Sequence, residues 1–174
     1  MPATEWRKAL RVVVETTLCS CALGIAMDLV TANVAVDYFA IHHPHVVDSR
    51  SPWVLALVWG VLASWWFGAI AGGLLCAILL VRRTPIPVRR IRSLVVRACG
   101  ILWLIFMAML AGWYVVISLL PIPRRSDFDY NRRIMAVALT HMTEYVLGAI
   151  VFAVILVTLL RESKRAATAA GTRP

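Results

Sequence analysis

The stretch WVLALVWGVLASWWFGAIAGGLLCAILLV, residues 53–81, contains no charged residue across 29 positions. A helix needs about 20 apolar residues to cross roughly 30 Å of hydrocarbon, so this stretch is long enough to span a bilayer. A soluble domain usually has about 25% charged residues, whereas this chain of 174 residues has 16%. The stretch and the composition together predict an integral membrane protein.

Three other apolar runs of similar length lie along the chain. The four predicted spans cover residues 10–34, 53–81, 94–120 and 134–160. Because their connections are short, we expect a single all-α bundle of four transmembrane helices within residues 1–165. Residues 166–174 are expected to form a flexible tail after a turn or two of helix. The first run is too long for a cleaved signal peptide and is expected to remain as a permanent helix.

Basic residues are distributed unevenly around the four spans. Loops rich in Lys and Arg stay on the cytoplasmic side of a membrane. With both termini cytoplasmic, 13 of the 18 basic residues lie inside and 5 lie outside, so this orientation is predicted. Arg124, Arg125, Arg132 and Arg133 conflict with it, because they follow the third span on the outer side. Topology and contact with anionic lipid account for the net charge of +9, and no nucleic-acid partner is expected.

Small residues recur at every fourth position along the second span. This small-residue stripe consists of Ala56, Gly60, Ser64, Gly68, Gly72 and Cys76. Helices in lipid associate by close packing, and small side chains allow their backbones to approach. The stripe therefore predicts a helix–helix contact. We expect the partner to be another span of this chain, and the alternative is a homo-oligomer or a different membrane protein.

Two carboxylates, Asp28 and Glu144, fall deep inside apolar spans, whereas Glu15 lies near the inner end of the first span. Each lies about 16 residues from the inner end of its span, which places both about 24 Å from that end. A carboxylate that faces lipid at this depth is costly, so both are expected to face the bundle interior or water. His141, Glu144 and Tyr145 share one face of the fourth helix. If these faces meet, they form a polar pocket that opens outward.

Three uses of this pocket are open. It could bind a transition metal, since imidazole and carboxylate suit zinc or iron, and the candidate ligands are His42, His43, His45, His141 and Glu144. It could hold a small ligand or relay a proton, since a partly buried Glu beside a His can titrate near neutral pH; the candidates are Asp28, His141, Glu144 and Tyr145. In the third use, which we favour from sequence, these groups only form hydrogen bonds between spans.

No catalytic constellation is recognisable in the sequence. It lacks a set of nucleophile, base and orienting residue, a phosphate-binding loop and a dinucleotide fingerprint. We therefore assign no catalytic residue and no cofactor apart from the metal alternative. The leading functional expectation is a non-enzymatic assembly or accessory component of a membrane. A transporter or binding protein for a small ligand, proton or metal ion is the second, and a metal-dependent membrane enzyme is the third.

Residues 36–66 carry a distinctive pattern: an aromatic pair, a His-Pro and a Ser-Pro that opens a Trp-rich span. This segment resembles one found in uncharacterised bacterial multi-pass membrane proteins. The matching positions are Tyr38, Phe39, His43, Pro44, Ser51, Pro52, Trp65 and Trp66. The resemblance implies a location in a bacterial inner membrane, and it assigns no activity and no catalytic residue.

Overall fold

A computed structural model describes residues 3–82, 86–121 and 127–171, and these residues form an all-α fold without strands. The helices are α1 (Ala3–Val34), α2 (Val36–Ala40), α3 (Pro52–Arg82), α4 (Val88–Leu119) and α5 (Phe128–Gly171). All except α2 are long and apolar enough to cross a membrane. The predicted all-α bundle with four such helices is thus confirmed. Each long helix extends beyond its predicted span, because the flanking polar residues continue the helix.

Several predicted boundaries can be placed on these helices. α3 begins at Pro52, the position expected from its missing backbone N–H and fixed φ. α5 continues to Gly171, so the helix enters the predicted tail, whose residues 172–174 lie outside the described residues. Residues 83–85 and 122–126 also lie outside the described residues; they include Pro85, Pro123, Arg124 and Arg125.

α1 contacts every other helix and is the centre of the bundle. Its most extensive interface is with α3, which runs antiparallel to it. Glycines make this interface close: a Cβ added at Gly60 would lie 2.5 Å from the backbone nitrogen of Ile25, and one added at Gly72 would lie 2.7 Å from Val13 Cα. Such close approach of two backbones requires positions without a side chain.

The whole small-residue stripe of α3 lies on or beside this interface. Ala56, Gly60, Gly68 and Gly72 are buried, whereas Ser64 and Cys76 are partly buried. A Cβ at Gly68 would lie 2.7 Å from Thr17 Cα, and the Ser20 hydroxyl of α1 donates a hydrogen bond of 3.0 Å to the Ser64 carbonyl. The partner of the stripe in this structure is therefore α1 of the same chain, rather than a second copy.

α1 ends at Val34 because the backbone at Ala35 leaves the helical region, with φ of −147° and ψ of 79°. The chain then forms the single turn of α2, which places Phe39 in the interior. We call this end of the bundle, with α2 and the loop 41–51, the α2 end. The Tyr38 and Phe39 side chains pack inward against His141 of α5.

Ion pairs join the helices at the opposite end of the bundle. Glu15 of α1 pairs with Arg11, as the i, i+4 spacing suggests, and with Arg92 of α4. Glu162 of α5 accepts a hydrogen bond of 2.7 Å from Arg90 of α4. These pairs fix the register of α4 against its two neighbours.

Candidate functional site

Asp28, His141 and Glu144 converge at the centre of the bundle near its α2 end. His141 Nε2 lies 3.6 Å from Asp28 Oδ1, and His141 Nδ1 lies 3.3 Å from Glu144 Oε2. The imidazole therefore stands between two carboxylates, each near a different ring nitrogen. The side chain of Asp28 is 7% exposed and that of His141 is 13% exposed. We refer to these three residues as the carboxylate–imidazole cluster.

Each member of the cluster is positioned by its helix. The burial of Asp28 follows from the central place of α1, since a residue on its inner face has neighbours from several helices. His141 and Glu144 lie three positions apart on α5, which places them on one face of that helix. Thr31, one turn after Asp28 on α1, completes the contact to α5 through a distance of 3.2 Å between its Oγ1 and His141 Nε2.

The hydrogen bonds of Thr31 determine the tautomer of His141. Thr31 Oγ1 lies 3.1 Å from the Met27 carbonyl oxygen, to which it donates its single proton. Its hydroxyl oxygen can then only accept, so we assign a proton to His141 Nε2, which donates to Thr31. Nδ1 faces Glu144. The remaining proton position lies between these two groups, on the imidazole or on the carboxyl.

Glu144 forms the end of the cluster that lies farther from Asp28. Its Oε2 is buried and lies 3.3 Å from His141 Nδ1. Glu144 also lines a cavity of about 60 Å³ between α1, α3, α4 and α5, which has room for a few water molecules. Tyr145 lines the same cavity from a half-exposed position. Glu144 thus connects His141 to a space that water can enter.

Aromatic rings enclose His141 on its other sides. Tyr38 stacks parallel to the imidazole, with ring centroids 5.5 Å apart and an interplanar angle of 2°. Phe39 meets it edge-on at 5.9 Å, and Phe106 of α4 lies at 5.8 Å. These rings exclude water from the imidazole, so its main polar contacts are Thr31 and the two carboxylates.

A second histidine, His43, lies in the loop above this enclosure. Its Nδ1–H donates a hydrogen bond of 2.9 Å to the Tyr38 carbonyl, and its ring packs against Tyr38, Phe39 and Trp59. Burial among these rings lowers the pKa of His43. Burial also raises the pKa of Tyr38 to about 12, so its phenol stays protonated at physiological pH.

The metal candidates do not form one cluster. His42 and His45 are exposed, and His43 packs against aromatic rings rather than against Glu144 or His141. Asp28 and Glu144 approach opposite nitrogens of His141, so one ion cannot contact the imidazole and both carboxylates. Within residues 3–82, 86–121 and 127–171, no three His, Cys, Asp or Glu side chains form a group that could hold a metal ion.

Sequence reasoning missed the residues that enclose the site. Thr31 lies one helical turn from Asp28, but its hydroxyl alone does not indicate a contact with His141, and Phe106 carries no signal that separates it from other apolar residues of α4. Tyr38 and Phe39 could have been found from the sequence, since aromatic residues directly after the end of a span can fold back over that end. The sequence does not show that they do so here, because this depends on the break in the helix at Ala35.

Comparisons with known proteins return nothing for this chain: no family model, no curated protein and no solved structure matches it. Its function is therefore inferred from the chemistry of the carboxylate–imidazole cluster alone.

Proposed function

We propose that this protein is a non-enzymatic multi-pass membrane protein that binds and releases protons at Asp28, His141 and Glu144. The observation that carries this proposal is the placement of His141 between two carboxylates, the buried Asp28 and the partly buried Glu144, each close to a different ring nitrogen. This arrangement allows a proton to pass between the imidazole and a carboxylate.

The rest of the interior favours proton binding over proton conduction. Between the cluster and the opposite end, an apolar core is formed by Val12, Leu75, Ile91, Val95, Ile155 and Leu159, and Thr16 is a buried polar residue in the same half. The sequence holds no carboxylate or histidine at positions 16–27 of α1, 98–119 of α4 or 145–161 of α5. These segments therefore carry no chain of carboxylates or histidines, and we infer that the cluster exchanges protons with the α2 end because it lies near that end. A cluster that binds protons without conducting them suits a pH sensor, or the proton-binding part of a process that is coupled to proton binding.

Infrared difference spectroscopy tests the proposal directly. The purified protein in lipid nanodiscs is taken through a pH step, and the carbonyl stretch of protonated carboxylic acids is recorded. We expect a band that is lost or displaced in Glu144→Gln and altered in His141→Gln. The matched control is His45→Gln, which removes an exposed histidine of the loop and leaves the band unchanged.

Two results would contradict the proposal. One is an infrared difference spectrum that is the same in the wild type and in Glu144→Gln, which would leave the cluster with a structural role. The other is a stoichiometric transition metal in the purified protein that is lost in His141→Ala. That finding would make the cluster part of a metal centre, which is the first of the three uses of the pocket considered from the sequence.

We also propose that both termini are cytoplasmic and that the α2 end faces outward. The charge balance of 13 basic residues against 5 supports this orientation. The resemblance of residues 36–66 supports a bacterial inner membrane. The cluster would then exchange protons with the periplasmic side, and the protein could serve a larger membrane assembly as its proton-responsive component.

A further inference from the structure

The arginines at the α2 end conflict with the rule that basic loops stay on the cytoplasmic side. Two of them, Arg132 and Arg133, have different surroundings in the structure. Arg132 is held inside the bundle, where it donates hydrogen bonds to Tyr114 Oη at 2.6 Å and to Ser118 Oγ at 2.8 Å. It also pairs with Asp129. Arg132 therefore has a structural role. Its neighbour Arg133 is exposed and has no carboxylate partner among the described residues; its Nε reaches only the Asp129 carbonyl, at 3.4 Å.

Arg133 lines a polar pocket of about 250 Å³ at the α2 end. This volume is more than ten times the ~10–15 Å³ that one water molecule requires. The pocket lies between the end of α1, the break at Ala35 and the starts of α3 and α5. Its polar side chains come from Asn33, Asp37, Arg50, Tyr130 and Arg133.

The charges around this pocket leave one positive charge uncompensated. Arg50 forms an ion pair with Asp37, which neutralises both side chains, and Arg133 remains. Guanidinium groups recognise phosphate oxygens through paired N–H donors. Asn33 and Tyr130 are neutral groups in the same walls: the Asn33 amide donates a hydrogen bond of 2.7 Å to the Leu29 carbonyl, and the Tyr130 hydroxyl forms a hydrogen bond with Asp37.

We propose that this pocket binds a monoanionic phosphodiester, the group that a phospholipid presents at this level of a bilayer. Arg133 is the principal contact, and Arg50 contributes the second guanidinium. The pocket does not share a residue with the carboxylate–imidazole cluster, so this proposal is independent of the proposed function.

Ligand titration of the full-length protein in an uncharged detergent tests the site. The probes are a short-chain phosphatidylglycerol below its micellar concentration and, separately, inorganic phosphate, with tryptophan fluorescence as the readout. We expect the lipid to bind the wild type, and Arg133→Gln to weaken its affinity by about tenfold or more. Arg161→Gln, which removes an exposed charge at the opposite end, should leave the affinity unchanged.

A variant with increased affinity for the lipid distinguishes loss of the binding site from loss of affinity through misfolding. Asp37→Asn removes the negative charge and frees Arg50, so it should bind the lipid more tightly than the wild type. If inorganic phosphate binds as tightly as the lipid and competes with it, the ligand of the pocket is a soluble phosphate rather than a phospholipid. Absence of binding by both probes, equal losses in Arg133→Gln and Arg161→Gln, or weaker binding in Asp37→Asn would each overturn the proposal.

Discussion

Thr31 has a single hydroxyl proton and donates it to its own helix, which leaves its oxygen to accept from His141. The substitution Thr31→Val keeps the shape of the side chain but removes this acceptor. We expect a loss of about 1 kcal/mol in the free energy of unfolding, because a buried N–H of His141 loses its partner. Unfolding of the purified protein in mixed detergent micelles measures this change.

Thr158→Val is the matched control for this prediction. Thr158 lies on α5, is more exposed than Thr31, and likewise donates its hydroxyl proton to the carbonyl four residues earlier, that of Val154. Its replacement should change the free energy of unfolding by less than Thr31→Val does. Equal effects in the two variants would show that the contact between Thr31 and His141 contributes nothing to stability.

His43 makes the stability of the protein depend on pH. Its pKa is lowered from the usual value of 6.5 by burial, so the folded protein binds a proton less readily than the unfolded chain. The stabilising contribution is therefore complete above pH 6.5 and is lost as the pH falls toward the lowered pKa of the folded state. Thermal unfolding measured between about pH 8 and pH 5 should show this decrease.

The variant His43→Gln should weaken that pH dependence. A glutamine amide can still donate to the Tyr38 carbonyl but does not titrate in this range. The exposed His45 provides the comparison, and His45→Gln should retain the pH dependence of the wild type. A wild-type pH profile in His43→Gln would assign the effect to another group.

At the scale of single residues, the three members of the carboxylate–imidazole cluster were easier to predict from the sequence than the residues that enclose it. Asp28 and Glu144 stand out because an ionisable group within an apolar span requires a partner. His141 follows from its helical spacing to Glu144. The enclosure by Phe106 depends on which face α4 turns toward α5, and one apolar residue among many does not reveal that.

Among the elements, α1 and α3 form the interface with the sharpest steric requirement. A methyl group at Gly60 would meet the backbone of Ile25 rather than a movable side chain. We therefore expect Gly60→Ala to destabilise the protein by about 1–3 kcal/mol, because the two helices must separate. Titration with a denaturing detergent, followed by helix content, measures this loss.

Gly73, on the same helix, provides the control for that prediction. A Cβ added at Gly73 has no neighbouring atom within 4 Å. Gly73→Ala should therefore be neutral or stabilise the protein by about 0.5–1 kcal/mol, since alanine favours a helix interior. Destabilisation of the same size at both glycines would mean that packing on α1 is not the cause.

The elements themselves were largely predictable, and the exception is informative. Apolar length alone identified the four long helices, because hydrocarbon thickness sets a minimum that soluble helices rarely reach. The break at Ala35 was not predicted, since alanine favours helix and no proline or glycine lies nearby. Tertiary packing of Tyr38 and Phe39 around His141 outweighs that local preference.

For the whole molecule, cysteine labelling tests the proposed orientation. In a variant whose four native cysteines are replaced by serine, His45→Cys and Lys164→Cys each introduce a single exposed thiol at opposite ends of the bundle. A reagent that cannot cross membranes should label His45→Cys in intact cells. Lys164→Cys should react only after the cells are opened, and the reverse pattern would contradict cytoplasmic termini.

The proposed outward position of the carboxylate–imidazole cluster has an electrical consequence. If the inner edge of the hydrocarbon layer lies level with Val12 and Leu160, a proton that arrives from the α2 end crosses only about 6 Å of a layer of roughly 30 Å. It therefore experiences about a fifth of the transmembrane voltage, so 100 mV changes its binding free energy by about 0.5 kcal/mol. One pH unit changes the same quantity by about 1.4 kcal/mol. The fraction of clusters that hold a proton would therefore depend on the pH on that side of the membrane more strongly than on the membrane potential.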